Sequence, residues 1–118
     1  MSDNHITLEA LDQVTDLGGI ELLNKLIEMF HDTILERLAA ADEAISDNRL
    51  DDLHREFHSI RSSAGNLGAQ KLSDACLESE SAIKEGRELP WADKLEAIKA
   101  LHALAYQELV DYAENYSE

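Results

Sequence analysis

Residues 50–68 read LDDLHREFHSIRSSAGNLG, and the spacing of their apolar side chains decides the fold class. Leu50, Leu53, Phe57, Ile60, Ala64 and Leu67 follow one another at intervals of three and four. That is the period of a single apolar stripe on an α-helix; a strand, with its period of two, scatters the same residues over both faces. Asp47 or Asn48 is suited to cap the start of this helix, and Gly68 to end it. The period continues on both sides. Upstream, after a break at DLGG (16–19), Ile20, Leu23, Ile27, Phe30, Ile34, Leu38, Ala41 and Ile45 form a longer stripe. Downstream, Leu72, Ala75, Cys76, Ser79, Ala82 and Ile83 form a third, which stops at Gly86. After GRELP, with Pro90 suited to a first helical turn, a fourth carries Trp91, Leu95, Ile98, Ala105, Leu109, Tyr112 and Tyr116. A short helix around Leu8 to Val14 is placed across one end. Amphipathic helices joined by short loops bury their stripes only by facing one another as antiparallel neighbours. The expected fold is therefore all-α, an antiparallel up-and-down four-helix bundle with an additional short N-terminal helix, forming one domain over 1–118.

Bulk composition agrees with one core and excludes several partner classes. The 118 residues suffice for a single domain, and 44% hydrophobic residues are ordinary for a globular protein. Five glycines and one proline leave few interruptions for long helices. A formal net charge of −15 opposes binding to nucleic acid or to an anionic membrane surface, both of which require clustered Lys and Arg. No apolar run approaches the roughly 20 residues of a membrane span. The polar start MSDNHITLEA is unlike a signal peptide, and Cys76, alone, allows no internal disulfide. These features place the chain in the cytoplasm, as a monomer kept soluble by its acidic surface. Met1 and a helical end at Tyr116 suit a complete small chain, and an excised domain of a larger kinase would look similar.

Against that acidic background, residues 54–71 hold Arg55, Arg61 and Lys71 with one acid, Glu56. At about 100° per residue, His58 lies roughly 130° from the core direction of its helix. His54, His58, Arg61, Ser62 and Gly65 fall on one contiguous outward strip. A neutral imidazole is a good nucleophile near neutral pH. If it takes up a phosphoryl group, a guanidinium one turn away can hydrogen-bond the equatorial oxygens, and small neighbours leave room for a second protein. By itself, an exposed His with Arg at i+3 is commonplace on helices.

Other chemistries find less support. In HREFH (54–58) two histidines stand at a zinc-compatible spacing, but Arg55 occupies the place of the zinc-protease glutamate and the arginines repel a cation. No metal is expected. His102 lies in the stripe of the last helix and reads as a buried, hydrogen-bonded core histidine. Cys76 reads as a small buried hydrophobe. Ser62 and Ser63 lack a base and an orienting partner for hydrolysis.

The segment FHSIRSSAGNLGAQKLSDACLESESAIKEG (57–86), with LGGIELLNKLIEMF (17–30) before it, resembles the histidine-containing phosphotransfer (HPt) domains of multistep phosphorelays, over residues 17–86. The resemblance implies that His58 is the phosphoacceptor. Arg61 stands where the family usually has Lys, and Ser62 replaces the glycine that usually follows. Gly68 matches the family's second glycine, in support of the phosphoryl site. Glu80 falls where Gln or Glu often lies near the imidazole and would hold the ring's other nitrogen. The implied role is a carrier without kinase activity of its own, moving phosphate between the receiver domain of a hybrid sensor kinase and a response regulator. Mg²⁺ is then supplied by the receiver, and this chain needs no cofactor. His54, Arg55, Gly65 and Gln70 are expected at the docking face. The alternatives are an HPt-fold adaptor that binds receivers without accepting phosphate, and a plain helical scaffold.

Overall fold

The computed structural model describes residues 5–116; residues 1–4 of the polar start lie outside them. Among the described residues the three-and-four spacing folds as four helices: α1 Leu8–Ser46, α2 Leu50–Asn66, α3 Gln70–Lys84 and α4 Trp91–Glu114. Each packs on the next, and α1 closes the ring against α4. The stripes meet in one core. Leu23, Ile34, Leu53, Phe57, Ile60, Leu72, Cys76 and Leu95 are at most 1% exposed.

Helix α1 contains both the expected N-terminal helix and the long helix, with the break at DLGG narrowed to one residue. Its first turns run on past Val14 and join the long helix through a bend at Gly19, whose φ of 68° and ψ of −164° are not helical. A straight helix of these 39 residues would span about 58 Å. The molecule is 48 Å along its longest axis, so the bend folds the leading arm back over the bundle. Leu11 on that arm is fully buried. The arm is tied down at several points. The backbone N–H of Thr7 donates to Gly68 O at 2.8 Å, that of His5 to Glu108 Oε1 at 2.9 Å, and Tyr112 Oη donates to Asp12 Oδ1 at 3.1 Å.

The turns after α1, α2 and α3 close in the same way, each with one residue at positive φ: Asn48, Gly68 and Gly86. After α1, Arg49 N–H reaches back to Ala44 O and Asn48 N–H to Ile45 O, the paired bonds of a Schellman motif. Asp47 and Asn48 are thus used to end α1. The N-cap of α2 is Arg49, without a side-chain cap, which corrects the expected capping role of either residue. Pro90 precedes α4 as its N-cap. The stripes shift slightly as well: Ala44 is buried in place of the expected Ile45, and Ile20, Ala75 and Ile83 pack at the core's edge.

Candidate functional site

Helix α2 turns Phe57 inward, where it is fully buried against Trp91 at a ring separation of 6.1 Å. The next residue, about 100° around the helix, is His58, whose side chain is 58% exposed. Antiparallel α3 brings Glu80 beside it. Glu80 Oε1 is 3.0 Å from His58 Nδ1, while Oε2 accepts from Arg61 Nε at 2.5 Å. Arg61 Nη2 completes the triangle at 2.9 Å from the same His58 Nδ1. Ser73 Oγ donates to Arg61 O at 3.3 Å, pinning the start of α3 to α2 just beyond the site.

The electrostatics follow from this geometry. Glu80 is 6% exposed. Burial raises its carboxyl pKa, but the Arg61 and His58 hydrogen bonds and charges outweigh burial and hold it below the usual carboxylate range. In return, the Glu80 hydrogen bond and charge raise the Arg61 guanidinium further. Glu80 is thus an anion fixed under the ring. A protonated Nδ1 donates to it and leaves Nε2, on the far side of the ring, with a free lone pair.

Of the residues expected at the site, the fold brings together His58, Arg61 and Glu80. Ser62 is exposed on α2, past Arg61. His54 is half-buried one turn before His58; Arg55 is exposed and paired with Asp52. Gly65 is exposed with room around it, and Gln70 bonds Asp74 at 2.8 Å. Gly68 belongs to the turn after α2. It lies ten residues beyond His58, about 15 Å along the helix, and a Cβ there would collide with Thr7 Oγ1 and come within 2.9 Å of Ala10 Cβ. Gly68 serves the chain reversal and the seat of the N-terminal arm.

Leu77 stands outside the core stripe of α3. It shares a strip of α3 with Ser73, Glu80 and Lys84 and is 48% exposed. Among the described residues, no group of three or more His, Cys, Asp or Glu side chains is placed to hold a metal. Cys76 is buried as expected; burial and the Glu80 charge push its thiol up to about 12. His102, 3% exposed, is the expected core histidine, with Nε2 3.1 Å from His31 Nδ1. Its own Nδ1 finds no partner among the described residues. No described helix is long and apolar enough to cross a membrane.

Fold and site together define a helical bundle that presents an exposed imidazole braced by a buried carboxylate and a guanidinium. Comparison with known families makes the class specific: the Hpt domain matches residues 25–113, and the chain belongs to that family. Its function is histidine phosphotransfer in phosphorelays, as a carrier that works with receiver domains. Among solved structures, histidine-containing phosphotransfer protein B (HptB) from Pseudomonas aeruginosa PAO1 is similar, with a TM-score of 0.87 and 21% identity. The similarity covers 98% of this chain and 100% of that one. Comparison with curated protein sequences finds no match.

Proposed function

We propose that His58 accepts the phosphoryl group, from the phospho-aspartate of a hybrid kinase's receiver domain, and passes it to the aspartate of a response regulator. The observation that carries this reading is the bond between Nδ1 and Glu80, 3.0 Å long, on a ring that is otherwise exposed. The lone pair on Nε2 attacks phosphorus as the P–O bond to the receiver's aspartate breaks. The carboxylate leaves, an N–P bond forms, and the ring keeps its Nδ1 proton on Glu80. Arg61 offsets the charge of the equatorial oxygens. The chain brings no cofactor; Mg²⁺ belongs to the receiver partner. It has no kinase activity of its own and acts in the cytoplasm as a monomer.

Docking uses the exposed sides of α1 and α2 around His58, with His54 and Gly65 on the ring's side of α2 and Arg55 and Gln70 at the rim. Incubation with a phosphorylated receiver domain is expected to transfer an acid-labile, base-stable phosphate to the protein, and His58→Gln to abolish the label. A label that survives the substitution overturns the assignment.

A further inference from the structure

His58 Nδ1 has two neighbours that make opposite demands. Glu80 Oε1, 3.0 Å away, is a carboxylate oxygen and only accepts. Arg61 Nη2, 2.9 Å away, only donates. One ring nitrogen cannot satisfy both. If Nδ1 carries the proton, it bonds Glu80 and faces the guanidinium N–H donor to donor. If Nδ1 is bare, it accepts from Arg61, turns a lone pair toward the carboxylate, and the ring's proton sits on Nε2. The two bonds are both charge-assisted, so neither is intrinsically negligible. Only the first form has a lone pair on Nε2, the nitrogen that faces outward.

We propose that Arg61 and Glu80 compete for His58 Nδ1, and that the second arm of the guanidinium holds a fraction of the rings in the tautomer that cannot accept a phosphoryl group. The fork makes this possible. Nε stays on Glu80 Oε2 while Nη2 is free to leave the ring. An anionic phosphoryl group arriving at Nε2 draws Nη2 toward its oxygens. Nδ1 is then released to carry the proton and donate it to Glu80. Arg61 is in this respect a positioning residue whose hold on the ring is relaxed by the substrate's own charge. The inference rests on the reading of His58 as phosphoacceptor, but its first observable does not require a relay partner.

That observable is the ratio of Nδ1–H to Nε2–H tautomers of His58, measured by long-range ¹H–¹⁵N NMR of the full chain at a pH where the ring is neutral. Arg61→Lys keeps the charge but replaces the fork with one ammonium; Arg61→Met removes the donor. Both are expected to raise the ratio about threefold or more, and Glu80→Ala to lower it by a similar factor. Phosphoramidate, which donates without a protein partner, then reports reactivity. Its P–N bond breaks, ammonia leaves and the His58 Nε2–P bond forms. The initial labelling rate in wild type, Arg61→Lys and Glu80→Ala should track the Nδ1–H fraction. A ratio unchanged in both Arg61 variants, or a rate that ignores the fraction, overturns the competition. If the ratio stays fixed while a phospho-receiver still labels His58, the relay reading stands and the competition falls. If the ratio shifts and no phospho-receiver labels the wild type, the competition stands and the relay reading falls.

Discussion

At the scale of single residues, the site is a contrast between neighbours on one helix. Phe57 is fully buried and His58 is exposed because successive side chains diverge by about 100°. On the proposed reading, Glu80, 3.0 Å from Nδ1, is the group that holds the ring in its reactive form. Glu80→Ala is therefore expected to slow phosphoryl uptake from a phospho-receiver by about tenfold or more, with the circular dichroism spectrum unchanged. The comparison of initial labelling rates checks it; equal rates remove Glu80 from the mechanism. Legibility differs within the triangle. His58 and Arg61 share a strip that helical arithmetic alone projects to the outside. Glu80 lies 22 positions away, on another helix, and no spacing rule connects it to the ring. Only the family resemblance points to it.

At the scale of elements, the helices and the glycine stops of α2 and α3 are legible in the sequence, and the start of α2 is not. The intervals of Leu50 to Leu67 define α2 without ambiguity because burial selects one face. Caps depend on hydrogen bonds between particular atoms. None of the four described helices has a side-chain N-cap bond, so Asp47 and Asn48 are natural candidates that the chain uses for a Schellman turn instead. Gly68 and Gly86 hold the equivalent place in two later turns, yet their surroundings differ. Gly68 has φ of 71° and is crowded by Thr7 and Ala10; Gly86 has φ of 73°, and a Cβ placed there would meet nothing within 4 Å. Gly86→Ala is expected to cost about 1 kcal/mol, from backbone strain alone. Gly68→Ala adds the clash with the N-terminal arm and should cost about 2–4 kcal/mol. Urea unfolding of the two variants against wild type tests the difference, and equal midpoints would show that the arm yields freely.

At the scale of the whole molecule, two electrostatic features set how stability varies with conditions. His102 bridges α4 to α1 through His31, and burial, followed by the His31 charge, lowers its pKa from 6.5 to about 4. The unfolded chain therefore binds more protons than the folded one between these values, and stability falls as pH drops from 6.5 toward 4. The loss amounts to about 3 kcal/mol when complete. Comparing His102→Phe with wild type isolates it: the variant should lose less stability than wild type between about pH 7 and about pH 4 in urea titrations. The formal charge of −15 repels itself across a molecule only 19 Å thick in its shortest dimension. Screening by about 0.3 M NaCl should raise Tm by about 3 °C over low salt, as thermal melts will show.

The sequence by itself determined the four long helices, the break at DLGG, the core face of each helix and the outward placement of His58 and Arg61. These depend on local periodicity and on the solvent's preference for polar faces. Tertiary packing alone decided that the arm before Gly19 folds onto Gly68, and that Glu80 sits under the His58 ring. It also decided that Arg61 lays one arm on each of them. Those facts are distances between atoms far apart in the chain, and the energy that selects them exists only once the helices have met.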